Sequence, residues 1–203
     1  MEELEFLTGR YSIRNFDPLF KIEDEKILSI IESAATAPSS NNFQPWKVYA
    51  VKNKAKQKVL KELTYGQQQV EDASVVFLVF GDKEAYNTEE LLRNRVDQGL
   101  LAPSQVESQK ERIERYFSSH PEDKDAEGIK LDVGLFSMNL MHVVRAHGYD
   151  SVPMRGANFK QIMEYLSIPT SLIPVLMIPV GKAVGKGQEK IRKAVNDFSE
   201  IID

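Results

Sequence analysis

The sequence predicts a mixed α/β protein of the α+β kind, with one sheet covered by helices, and three observations carry that expectation. Residues 75–80 and 173–180 are apolar runs with the length of buried strands. Around them lie stretches whose apolar residues recur at helical spacing. Clusters of Pro, Gly, Asn and Ser separate these stretches as turns do.

In chain order, residues 24–36 place Ile27, Ile30, Ile31, Ala34 and Ala35 on one helical face, with acids in the first turn and Pro38 as a stop. Trp46–Val51 has the pattern of a short strand. Asn53 suits the cap of a helix that turns Ala55, Val59, Leu60 and Leu63 inward. The run at 75–80 fits a strand buried on both faces. Residues 82–128 are strongly charged, lack an obvious strand, and predict two exposed helices forming a lobe or lid. From Ile129, the residues Val133, Phe136, Leu140 and Val144 mark a long buried helix stopped at Gly148. Asn158 caps a further short helix through Leu166. Pro174 and Pro179 put the last strand at an edge, or themselves at strand ends. About four strands are few for such a sheet, and a partner chain would supply what is missing.

Composition narrows the function classes. A chain of 203 residues suits one domain, 1–203, and 42% hydrophobic content is enough for a core. A net charge of -4 and a pI near 5.5 give no general attraction to nucleic acid or anionic lipid. No apolar run approaches the roughly 20 residues of a spanning helix. The acidic start Met1-Glu2-Glu3 lacks the basic region of a secretory signal. The expectation is a cytoplasmic protein with no membrane or nucleic-acid partner. Without cysteine there is no disulfide, thiol nucleophile or Cys metal site. His120, His142 and His147 match no metal spacing and suit surface or packing roles. Gly185-Lys186-Gly187 is too short for a phosphate loop. Redox chemistry would therefore need a bound cofactor.

Two segments concentrate functional groups. In Arg10-Tyr11-Ser12-Ile13-Arg14, an extended backbone puts residues 10, 12 and 14 on one side, with Tyr11 and Ile13 toward the core. Two guanidinium groups and a hydroxyl there suit a phosphate; a solvated basic turn is the plainer alternative. Residues 37–46, Ala-Pro-Ser-Ser-Asn-Asn-Phe-Gln-Pro-Trp, crowd short polar side chains between two prolines. Such a loop can offer several hydrogen bonds to a ring edge, or can serve as a capped connector with Trp46 as a core anchor.

Together, Arg-x-Ser-x-Arg and Pro-Ser-Ser-x-Asn-x-Gln-Pro-Trp, separated by one amphipathic helix, resemble the nitroreductase family of FMN-dependent oxidoreductases. Asp150-Ser151-Val152-Pro153-Met154-Arg155-Gly156, Lys190-Ile191-Arg192 and Gln67-Gln68-Gln69 match in order, so the likeness spans nearly the whole chain.

The resemblance implies a central mixed sheet flanked by helices in an intertwined homodimer, with FMN as cofactor and NAD(P)H as electron donor. It puts Arg10, Ser12, Lys190 and Arg192 around the FMN phosphate, with Tyr11 on the same arm. Arg14 falls to the N1 and C2 edge, and Gln69 and Asn42 to the pyrimidine edge. Pro153 and Met154 lead to Arg155 and Gly156, whose backbone would donate to N5. Pro38, Ser39, Ser40 and Asn42 would reach the flavin of the opposite subunit. Some relatives have a lysine in place of Gln69 and others an acid in place of Arg155, so a role for the Arg155 side chain does not carry over. The implied reaction is ping-pong transfer of two electrons to a small aromatic or quinone-like acceptor, with no catalytic side chain or metal. A flavin-storing protein without turnover, and a same-fold reductase of enoates or halogenated aromatics, are the alternatives.

Overall fold

The computed structural model describes residues 3–202; Met1 and Glu2, part of the acidic start, and Asp203 lie outside. Its helices are α1 (Glu3–Thr8), α2 (Asp24–Ala34), α3 (Lys54–Glu62), α4 (Gln68–Asp72), α5 (Thr88–Asp97), α6 (Val106–Ser119), α7 (Ala126–Ala146) and α8 (Phe159–Leu166). Four strands, β1 (Trp46–Val51), β2 (Val75–Gly81), β3 (Asp150–Ser151) and β4 (Ile173–Gly181), form one sheet in the order β1-β2-β4-β3. All neighbouring strands run antiparallel. A parallel bridge from Ser12 to Ser151 makes the sheet mixed at its β3 edge.

Every residue of β2 is buried, because helices cover both faces of the sheet. Val75, Phe77 and Val79 face α2, α7 and the 82–128 lobe. Val76, Leu78 and Phe80 face Ile13, Phe16, Leu60, Val70 and α8. That is why the run is continuously apolar rather than alternating.

Helix ends follow from local chemistry. The Asn53 side chain accepts the Lys56 N–H at 3.0 Å, and that of Asn158 accepts the Gln161 N–H at 3.3 Å. After α7, Gly148 has φ +76°; its N–H reaches Arg145 O and that of Tyr149 reaches Val144 O. This pair of bonds closes the helix as a left-handed glycine permits.

The structure corrects several details. Helix α2 ends at Ala34, ahead of Pro38. On α3, Ala55 is exposed and Gln57 is fully buried, its amide donating to Val51 O and Ala73 O at 3.2 and 3.1 Å. Strand β4 is interior, between β2 and β3, and not an edge. Its Pro174 follows a register slip at Val79/Phe80, while Pro179 accepts Val152 N–H through its carbonyl. The lobe carries the two expected helices, α5 and α6, yet Tyr86, Leu92, Ile113 and Phe117 belong to the main core. No described helix is long and apolar enough to cross a membrane.

Candidate active site

Two chain termini and one loop meet beside β3. Residues 12–17 form an arm along the sheet edge: Ile13 N–H donates to Ser151 O, Asp17 N–H to Lys182 O, and Val184 N–H to Asn15 O. Ile13 and Phe16 anchor it in the core, which turns the polar residues between them outward. Tyr11 is 40% exposed, against the inward position expected of it. A cation explains the difference: Lys190 Nζ stands 4.3 Å from the Tyr11 ring centroid. Lys190 also donates to the carbonyl oxygens of Thr8 and Arg10. Gly187 allows this clasp, since a Cβ there would lie 2.7 Å from the Tyr11 Cβ.

A cavity of about 610 Å³ opens at this junction, walled by Arg10, Tyr11, Arg145, Ser151, Lys186 and Gly187 among others. Its wall carries the cations Arg10, Arg145 and Lys186 and the acids Asp150 and Glu189. Burial first, then the charges of Arg192 and Arg145, hold the Arg10 pKa below its ordinary value. Arg10 Nη1 is buried without a partner. Nearby His142 is also lowered, by burial and then by Arg10 and Arg145, and its Nδ1 is buried unpartnered. An orphaned guanidinium nitrogen among several cations fits a phosphate dianion.

From Ser151 the chain continues along β4, where Met154 N–H donates to Met177 O at 2.8 Å. Gln69, 7% exposed, donates to Gln67 Oε1 at 2.9 Å and lies 3.7 Å from the Met154 sulfur. Gln67 in turn donates to Gly156 O at 3.2 Å. Pro153 is half-buried, whereas Arg14, Arg155 and Gly156 are exposed. Among the described residues no backbone acceptor takes the N–H of Arg155 or Gly156. The arm, the 153–156 loop and Gln69 thus adjoin one another, and a flat ligand with an anionic tail fits the donors present.

Pro38, Ser39, Ser40 and Asn42 do not line this cavity. Their loop is tied to α7 and the lobe, through Ser40 N–H to both oxygens of Asp132 and Arg95 Nη2 to Asn41 O. The sequence reading missed Arg145, Asp132 and Tyr86. Arg145 gave one signal, a cation in the last turn of an apolar helix; Asp132 gave another, an acid between Leu131 and Val133 within the buried stripe.

The chain is similar to known proteins in sequence and fold. The Nitroreductase family model matches residues 7–182. YdgI of Bacillus subtilis (strain 168), which carries an NAD(P)H nitroreductase name, is 34% identical over 200 residues, covering 97% of this chain and 96% of its own. A nitroreductase-like crystal structure from Streptococcus mutans is 50% identical with a TM-score of 0.96, over 98% of this chain and 97% of that one. A structure in complex with FMN from Exiguobacterium sibiricum is 35% identical with a TM-score of 0.90, over 99% and 97%. With the family model matched over residues 7–182 and these relatives alike over nearly their whole length, the chain belongs to the nitroreductase family.

Proposed function

We propose that the protein is an NAD(P)H-dependent FMN oxidoreductase that passes two electrons to small acceptors of the quinone or nitroaromatic type, as a cytoplasmic homodimer with shared sites. The observation that carries this to the chain's own residues is the convergence of Arg10, Arg145, Lys190 and Arg192, with Arg10 Nη1 left without an acceptor. An unsatisfied buried donor costs about 1–3 kcal/mol. A phosphate oxygen at that nitrogen removes the cost.

When bound, FMN supplies hydride acceptance and donation. The protein's residues bind and aim it. Arg10, Ser12, Lys190 and Arg192 hold the phosphate by charge-assisted bonds. Arg14 offers a cation at the N1 and C2 edge, and Gln69 an amide at the pyrimidine edge. The amides of Arg155 and Gly156 serve N5, with Pro153 and Met154 setting their approach. Pro38, Ser39, Ser40 and Asn42 act on the flavin of the partner subunit. Donor and acceptor occupy one slot in turn, walled by the lobe, in a ping-pong order. A second reading, an enone acceptor, is favoured by the enone reductase of Lactiplantibacillus plantarum, 30% identical over 182 residues.

The test is anaerobic stopped-flow reduction with NADH and with NADPH, followed by menadione, nitrofurazone and an α,β-unsaturated ketone. Bleaching of a yellow protein and recolouring by an acceptor is the expected result. A yellow protein that neither nucleotide bleaches is a flavin store, and this reading then fails.

A further inference from the structure

The loop that follows α2 holds a backbone few sequences adopt. Asn41, Asn42 and Gln44 have φ of 45°, 62° and 53°, in the left-handed region that costs an L-residue roughly 1–2 kcal/mol. Its contacts offset that strain. Asp132 on α7, 5% exposed, accepts the Ser40 N–H on its two oxygens at 3.1 and 3.0 Å. Its Oδ2 also accepts the Tyr86 hydroxyl at 2.7 Å. Among the described residues no Lys or Arg pairs with it. Tyr86 stacks on Phe43 at 5.0 Å between centroids, and both rings meet Phe117 of α6. From α5, Arg95 Nη2 donates to Asn41 O at 2.7 Å, and Gln44 N–H is taken by Ser39 Oγ at 3.0 Å.

A buried carboxylate held only by neutral donors is a costly way to fill space, and an apolar side chain would pack there as well. What an apolar side chain lacks is an acceptor for the Ser40 N–H and for the phenol. Burial, then the hydrogen bond and charge of Asp132, push the Tyr86 pKa up, so the phenol stays a donor throughout the working range.

We propose that Asp132 is the positioning residue of the 38–44 loop: with Tyr86 it locks the loop to α7 and to the lobe, and so fixes where Ser39, Ser40 and Asn42 stand against the partner's flavin. The flavin half rests on the proposed function; the locking half does not. A consequence is that the lobe and the loop move as one body, so changes in α5 or α6 reach the flavin through Tyr86 and Arg95.

The experiment compares wild type, Asp132→Asn and Tyr86→Phe by amide hydrogen exchange without flavin, and by FMN titration with visible circular dichroism. The expected result is exchange across 39–44 about tenfold faster in Asp132→Asn and intermediate in Tyr86→Phe, with β2 unchanged. FMN dissociation constants should rise about tenfold, and the dichroism of bound flavin should change shape. Tyr86→Phe removes a single oxygen and decides the matter if Asp132→Asn does not fold. Unchanged exchange at 39–44 overturns the proposal whether or not flavin binds. Faster exchange with unaltered flavin affinity and dichroism overturns the flavin half. A wild-type protein that takes up no FMN sinks the proposed function and that half with it, while exchange still decides the lock.

Discussion

Arg10 is placed at a cost that a bound phosphate would relieve. Burial and the charges of Arg192 and Arg145 work against its protonated form. Arg10→Ala should therefore leave the flavin-free protein no less stable while weakening FMN by about 1–3 kcal/mol, or roughly 5- to 150-fold; fluorescence titration and a flavin-free melt measure the two effects. His142 supplies a pH dependence whose sign can be worked out. The unfolded ring takes its proton near the ordinary value of 6.5, whereas the folded ring, lowered by burial and by Arg10 and Arg145, takes it only at lower pH. In that window the unfolded chain holds more protons, so stability falls as pH drops through it. Urea melts of flavin-free protein between pH 7 and 5 should show a steeper loss in wild type than in His142→Gln; equal slopes would remove His142 as the source. Arg10 and Ser12 stood out because their types and spacing suit a phosphate, and Lys190 through the family resemblance alone; the structure brings Lys190 to the Arg10 carbonyl. His142 was not legible, because its burial and its approach to Arg10, 132 residues away in the chain, arise only on packing.

At the scale of elements, legibility followed the strength of local signals. The apolar run of β2 and the Asn53 and Asn158 caps were readable, and stand where expected. For β4 the prolines left an edge position or strand-end prolines open; the strand is interior with Pro174 its second residue, and β3, only two residues long, was too short to leave a pattern. Gln57 went unread for a related reason: the carbonyls of Val51 and Ala73 that satisfy it come from two different elements. The end of α7 gives a direct test. Gly148 has φ +76° with no atom within 4 Å of an added Cβ, so Gly148→Ala meets backbone strain and no clash. It should cost about 1–2 kcal/mol, read as a lower urea midpoint with the same m-value. A loss several times larger would mean that the turn carries tertiary contacts as well.

For the whole molecule, the exposed apolar residues are the informative feature. On α7, Leu131, Leu135 and Met138 are 66%, 42% and 41% exposed, and the tail shows Ile191 and Ile201 at 91% each. Such a set on one chain is what a second copy would cover. Light scattering should give twice the 23.1 kDa of a single chain; a monomer that still binds FMN tightly would refute shared sites. Deleting residues 188–203 should abolish flavin retention, with gel filtration of the yellow protein as the assay.

The clasp between Lys190 and the carbonyls of Thr8 and Arg10 joins residues 182 and 180 positions apart. Translation runs at about 5–20 residues per second, so the arm bearing Arg10 waits roughly 10–40 s for its counterpart to be made. A nascent chain on the ribosome has an open cradle throughout that interval. If Lys190 closes the phosphate site as proposed, a chain released before that residue is made should retain no flavin.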